Sequence, residues 1–73
     1  MRKIFGPRAA LNKMTAGKVV VELCPMTDDE SNVTYRRRRN FILVRFAHGS
    51  WNRYCHIEEF FSAARGDRFK EKS

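Results

Sequence analysis

The chain lacks the features that mark several large classes of protein. Its 73 residues include only two cysteines, Cys24 and Cys55, so no disulfide framework can be argued. The longest continuous apolar run, residues 41–44, is far short of the roughly 20 residues that a membrane span needs. We expect no secretory leader and no membrane partner. An intracellular, reducing location follows, cytoplasmic or nucleoid-associated, with two free thiols.

Motifs for catalysis, cofactors and metals are also missing. No glycine-rich phosphate-binding motif occurs. Nothing in the sequence suggests the orienting group and the oxyanion hole that a Cys–His nucleophile requires. The cysteines and histidines have spacings that match no standard zinc pattern: Cys24, His48, Cys55 and His56. We therefore expect no enzymatic activity, no cofactor and no metal site.

What the chain has is enough apolar material for one small domain. We assign residues 1–73 to a single basic domain, with residues 67–73 as a flexible, mostly solvated tail. Hydrophobic residues make up 42% of the sequence, and six Phe, two Tyr and one Trp supply packing area. A domain of this size buries only about 60% of its unfolded surface, so its core must be compact.

The chain also has an excess of positive charge, which is unevenly distributed. The net charge is +7, with five basic residues and no acid in residues 1–21. Residues 22–30 carry four acids and no base, and residues 31–55 carry six arginines and no acid. Such a charge is an argument about partners and not about fold. It favours a polyanion, either nucleic acid or an acidic protein surface.

Hydrophobic patterning predicts an α+β fold. Strands are expected at residues 18–24, 33–39, 41–47 and 51–54, where β-branched and aromatic residues are frequent. A C-terminal helix is expected because four apolar residues follow the i, i+3, i+4, i+7 spacing: Ile57, Phe60, Phe61 and Ala64. The predicted architecture is a small antiparallel sheet of three to four strands with this helix packed on one face. Whether the segment after Pro7 forms a short N-terminal helix is left open, because a helix so short must dock to persist.

This element order resembles, in topology only, that of small double-stranded-RNA-binding domains and of three-strand-plus-helix DNA-binding domains. The sequence motifs of those groups are absent. Glu58 and Glu59 stand where basic residues would meet phosphate, so no residue role is assigned from the resemblance.

Four consecutive arginines form the most unusual feature of the sequence. On a strand, Arg36 and Arg38 point to one side and Arg37 and Arg39 to the other. An unpaired buried guanidinium is very costly. The run is therefore expected at a sheet edge or on a hairpin that reaches past the core.

The pairing of the third and fourth strands can be predicted from the turn signal His48-Gly49. A two-residue turn pairs Val44 with Arg53 and Ile42 with Cys55. That register places Arg45 and Arg53 on opposite faces, and a slip of one residue would exchange every assignment.

The first functional hypothesis is a small nucleic-acid-binding regulatory protein. Arginines would contact phosphates, and aromatic side chains would stack on bases or position the ligand. The predicted binding residues are Arg36, Arg37, Arg38, Arg39, Arg45, Arg53, Trp51 and Tyr54. Four phenylalanines are expected in the core: Phe41, Phe46, Phe60 and Phe61.

The alternative is a protein-binding module or inhibitor, of the kind that a virus or mobile element encodes. It would dock on an acidic partner or form a homodimer through a free sheet face. The discriminating feature is the surface around Trp51 and Phe46. An apolar patch without arginines there would favour the protein partner.

Overall fold

The elements of secondary structure come from a computed structural model, which describes residues 4–64 and 66–72. In chain order they are α1 (Pro7–Thr15), β1 (Val20–Leu23), β2 (Glu30–Arg38), β3 (Phe41–Phe46), β4 (Asn52–His56), a 3₁₀ turn (Ile57–Glu59), α2 (Phe60–Ala63) and β5 (Phe69–Glu71). None of the helices in these residues is long and apolar enough to cross a membrane.

The strands form one five-stranded sheet in the order β4-β3-β2-β1-β5. All four pairings are antiparallel. β2 is the central strand, so the arginine run lies in the middle of the sheet. Its last residue, Arg39, has a φ of 56° in the two-residue connection to β3. The predicted position at a sheet edge is therefore wrong, although the run does end at a hairpin tip.

Both helices pack on the same face of this sheet. Alternation along the strands turns apolar residues toward that face, and the helices cover them with Ala10, Met14 and Phe60. The buried cluster consists of Ala10, Met14, Val20, Tyr35, Ile42, Val44, Phe60 and Phe69. We call this side the covered face and the opposite side, on which no described helix packs, the open face.

Helix α1 forms in the segment whose helical state the sequence left open. Pro7 occupies the first helical position, where its missing N–H removes no intrahelical bond. Ala10 and Met14 are buried four residues apart, so one side of the helix docks on the sheet. Gly17 follows with a φ of 88°, which ends the helix in a conformation that suits glycine.

The C-terminal helix is shorter than predicted, so the expectation of a sheet face packed by this helix is matched only in part. α2 spans only four residues after the 3₁₀ turn, and Ala64 already has extended dihedral angles, with φ −118° and ψ 119°. Phe60 is fully buried, whereas Phe61 is 39% exposed. The i, i+3, i+4, i+7 spacing of apolar residues shows which side of a helix would be buried, but it does not determine how long the helix is. α1 provides most of the helical cover.

The prediction of three to four strands is also wrong, because residues 69–71 form β5. This strand lies in the segment 67–73 that the sequence suggested was a solvated tail. It pairs with β1 through Glu22 and Phe69, and Phe69 also forms a bridge with Phe5. Phe69 is 1% exposed. A single apolar residue among charges carries no periodic signal, so only long-range pairing reveals this strand. With five strands and a short C-terminal helix, the topological resemblance noted above does not hold.

Candidate functional site

The open face brings together four arginines from three neighbouring strands. Residues directly opposite each other in an antiparallel pair project to the same side of the sheet. Arg36 pairs with Leu43, which pairs in turn with Arg53. The other two arginines share this side through their pairings, Arg38 with Phe41 and Arg45 with Thr34. Together with Trp51 and the partners Phe41 and Leu43, they form what we call the arginine–aromatic surface: Arg36, Arg38, Phe41, Leu43, Arg45, Trp51 and Arg53.

A β-bulge in β4 places Arg53 on this surface. Ile42 pairs with Cys55 as predicted, but the register then shifts, and Leu43 pairs with Arg53. The predicted pairing of Val44 with Arg53 is therefore wrong, since Asn52 takes that place. A bulge adds one residue to one strand and so exchanges the faces of the residues beyond it. As a result Arg45 and Arg53 share one face instead of lying on opposite ones.

Three of the four guanidinium groups lie over aromatic rings. The Arg36 guanidinium carbon lies 5.1 Å from the Trp51 ring centroid, and that of Arg45 lies 5.9 Å from it. Arg53 lies 4.0 Å from the centroid of Phe41. These distances are in the range of cation–π contacts. The rings therefore hold the arginine side chains against the sheet and limit their conformational freedom.

Trp51 separates two grooves on the open face. The larger groove has a volume of about 610 Å³ and is lined by Arg36, Arg38, Arg39, Asn40, Phe41, Leu43, Trp51 and Arg53. The smaller has about 420 Å³ and is lined by Val19, Ser31, Asn32, Thr34, Arg45, Ala47, His48, Trp51 and Lys72. Neither lining contains an acidic residue, and both contain cationic side chains. An anionic chain would therefore meet positive charge on both sides of Trp51.

The charges of the arginine–aromatic surface are not neutralised within the described part of the chain. None of its four guanidinium groups lies within ion-pair distance of a carboxylate. The lysines on the β5 side of the sheet differ, because Lys70 Nζ lies 2.7 Å from Glu30 Oε2 and Lys72 Nζ lies 3.8 Å from Glu30 Oε1. Positive potential is thus concentrated over β2, β3 and β4.

Arg45 is the least exposed of these four arginines. Its Nε is buried and donates no hydrogen bond to any acceptor in residues 4–64 and 66–72. A buried donor without an acceptor has a free-energy cost. The described residues supply no acceptor for this donor, and the Trp51 ring, with its centroid 5.9 Å from the guanidinium carbon, is the aromatic contact of Arg45.

Arg37 does not lie on this surface. It pairs with buried Ile42 and so starts from the covered face. Its Nε donates to the Arg39 carbonyl at 2.6 Å, and its Nη1 donates to Thr15 Oγ1 at 2.8 Å. Arg37 therefore connects the β2–β3 hairpin to the end of α1. Arg39, by contrast, is exposed in the turn and lines the larger groove.

Tyr54 is also directed away from the arginine–aromatic surface. Its ring centroid lies 5.5 Å from that of Tyr35, which belongs to the buried cluster. Tyr35 donates a hydrogen bond from its hydroxyl to Glu22 Oε1 at 2.8 Å. Burial is the main cause that raises the pKa of both Tyr35 and Tyr54. Of the eight residues predicted to bind, the structure thus brings together Trp51 and every arginine except Arg37, while Tyr54 lies elsewhere.

The predicted core aromatics need correction as well. Phe60 alone is buried among the four, since Phe46 is 63% exposed and Phe61 is 39% exposed. Phe41 is half-buried under Arg53 on the open face. Sequence reasoning therefore missed Phe41 and Leu43 as members of the surface. Their alternation with Ile42 and Val44 was the available signal, because it places one pair on each face.

The cysteines and histidines show no reactive or metal-binding arrangement in the described residues. Cys24 and Cys55 are both free. Burial, and then the nearby charge of Glu59, raise the pKa of Cys55, which lowers its thiolate fraction at neutral pH. No group of three or more His, Cys, Asp or Glu side chains in these residues is placed to hold a metal ion.

Comparisons with known proteins find no relative of this chain. No family model, curated protein or solved structure matches the chain. The functional inference therefore depends on the arginine–aromatic surface itself.

Proposed function

We propose that this protein is a small nucleic-acid-binding regulatory protein and that the arginine–aromatic surface is its binding site. The observation that carries the proposal is the convergence of Arg36, Arg38, Arg45 and Arg53 on one sheet face, with no carboxylate of residues 4–64 and 66–72 within ion-pair distance. Arginine presents a planar fork of donors that suits phosphate. Neutralising phosphates releases counterions, which supplies most of the sequence-independent affinity.

The surroundings of Trp51 support this proposal over docking on a protein partner. A protein-binding surface was expected to show an apolar patch without arginines. Instead, two guanidinium groups lie within 6 Å of the Trp51 ring centroid, and Phe46 projects from the opposite face as the partner of Val33. We place the protein in the cytoplasm or on the nucleoid, where Cys24 and Cys55 remain reduced.

The test is a titration of labelled DNA and RNA at several salt concentrations. The Arg36→Ala/Arg38→Ala variant should bind more weakly at low salt. The slope of log K against log salt should fall by about 1.4 to 1.8 in magnitude, since each lost phosphate contact contributes about 0.7 to 0.9. Both side chains are exposed, so the fold should be retained and can be verified by circular dichroism.

The matched control is Arg8→Ala/Lys18→Ala, which removes the same charge from exposed positions outside the sheet. It should weaken binding only slightly and leave the slope nearly unchanged. Negligible affinity of the unmodified protein at low salt would reject the proposal. Equal losses in the two double variants would reject the assigned surface.

A further inference from the structure

The width of the open face bears on which nucleic acid it accepts. Neighbouring strands lie about 4.8 Å apart, so five strands extend over roughly 19 Å before side chains are counted. The major groove of B-DNA is about 12 Å wide and admits a helix or a two-stranded ribbon. The four arginines lie on three adjacent strands, β2, β3 and β4, and β1 flanks β2 on its other side, so they do not form such a ribbon. A sheet face of this width is too broad to enter that groove.

Trp51, which precedes β4, provides a stacking platform on that face. It borders both grooves, so a strand that occupies both grooves passes its ring. Base–aromatic stacking requires an exposed base face, which single strands have and a paired duplex lacks. The position of Trp51 between two cationic grooves thus suits a single strand with a phosphate on either side.

Arg36 can leave the Trp51 ring when such a ligand binds. Its side chain is exposed, and its contact with the ring is 5.1 Å long. An exposed cation–π contact is weaker than a base–aromatic stack, and a guanidinium gains a stronger partner in phosphate. Arg45 is less exposed than Arg36 and keeps its contact with the ring. A base therefore replaces Arg36 on Trp51, and Arg36 turns to the backbone of the strand.

We infer that the arginine–aromatic surface binds single-stranded nucleic acid in preference to duplex, with one base stacked on Trp51 and flanking phosphates in the two grooves. This inference rests on the proposed function and adds the substrate class and the stacking residue. Trp51 is the only tryptophan in the chain, so its fluorescence reports directly on occupation of the ring.

The experiment titrates the full chain with oligonucleotides of about 12 nucleotides, a length within the range that single-strand sites cover. The probes are single-stranded DNA, single-stranded RNA and a DNA duplex, at one low salt concentration. Single strands should quench Trp51 and bind at least about tenfold more tightly than the duplex. Trp51→Leu should weaken single-strand binding about 5- to 150-fold, the range expected for a lost stack, and weaken duplex binding much less, because a duplex offers no base to the ring. Trp51→Phe should retain most of the affinity because it keeps an aromatic ring.

The outcomes distinguish failure of the single-strand preference from failure of nucleic-acid binding itself. Duplex binding as tight as single-strand binding, without quenching of Trp51, would overturn the single-strand inference and leave nucleic-acid binding intact. Equal losses for Trp51→Leu and Trp51→Phe on every probe would also overturn it, because stacking would then not be the cause. No binding of any probe would refute the proposed function itself. Thermal unfolding of each variant establishes that the fold is retained.

Discussion

The two faces of the same sheet differ in what they carry. On the covered face, Tyr35, Ile42 and Val44 lie under the helices within the buried cluster. On the open face, their neighbours Arg36, Leu43 and Arg45 line grooves or contact Trp51. The two sets alternate along the same strands, so adjacent residues serve different purposes. The helix-covered cluster lies on one face, and the arginines without a carboxylate partner among the described residues lie on the other.

The arginine run shows this difference within four residues. Arg37 starts from the covered face and hydrogen-bonds to Thr15 at the end of α1, whereas Arg36 and Arg38 lie on the open face. A run of like charges is thus not one functional unit. Its members lie on different faces because successive side chains of a strand point to opposite sides of the sheet.

The largest expected effect tests the covered face. Phe69→Ala should lower the free energy of unfolding by about 3–5 kcal/mol, because it removes a fully buried aromatic side chain and leaves a cavity. Phe46→Ala is the matched control, and as an exposed position it should change stability by only about 0.5 kcal/mol. Urea denaturation measures both. Similar losses would contradict the buried position of β5.

The second prediction compares the effects of Arg37 and Arg38 on stability and on nucleic-acid binding. Arg37→Ala should lower the free energy of unfolding by about 1–3 kcal/mol, since two hydrogen bonds at about 0.5–1.5 kcal/mol each are lost. Arg38→Ala should leave stability within about 0.5 kcal/mol but weaken nucleic-acid binding more than Arg37→Ala does. If the two variants behave alike in both measurements, the division of the run by face is wrong.

The third prediction concerns the pH dependence of stability. Burial, and then the hydrogen bond to Glu22, raise the pKa of Tyr35 well above its ordinary value near 10. Because the folded-state pKa exceeds that of the unfolded chain, the stabilisation is complete below about pH 10 and is lost as the pH rises above it. Tyr35→Phe should lower the free energy of unfolding by about 1 kcal/mol at neutral pH. The difference between the two proteins should shrink between pH 9 and about 11.

The comparison of Tyr35→Phe with the unmodified protein is the measurement that isolates Tyr35, because all other groups are the same in the two proteins. A constant difference across the range would show that the hydroxyl of Tyr35 does not contribute to the pH dependence.

The smallest effect is expected at Tyr54. Tyr54→Leu should reduce stability by about 0.5–1 kcal/mol through loss of the aromatic pair with Tyr35. Affinity for nucleic acid should not change, because the ring does not border the arginine–aromatic surface. A loss of affinity as large as that of Trp51→Leu would mean that Tyr54 belongs to the binding site. The assignment of binding to the open face alone would then be wrong.

Much of the candidate site was predictable from local pattern. Alternation separates Arg36 and Arg38 from Arg37, and the acid-free stretch around them indicates an anionic ligand. The length of α2 and the existence of β5 were not predictable, because Phe69 is an isolated apolar residue whose burial depends on pairing with β1 and Phe5. The bulge that moves Arg53 to the open face was likewise not predictable. The turn signal His48-Gly49 predicts where the hairpin turns, but it does not predict a change of register further along the strands.

By itself, the sequence determined the charge of this protein, the positions of most strands and which residues alternate with which. These properties follow from side-chain chemistry and from the two-residue repeat of an extended chain. Only the tertiary structure decided which of the two alternating sets the helices cover, and that Arg45 and Arg53 lie together near Trp51. Those choices depend on contacts between residues distant in sequence: docking of α1, pairing of β5 and the register of β4.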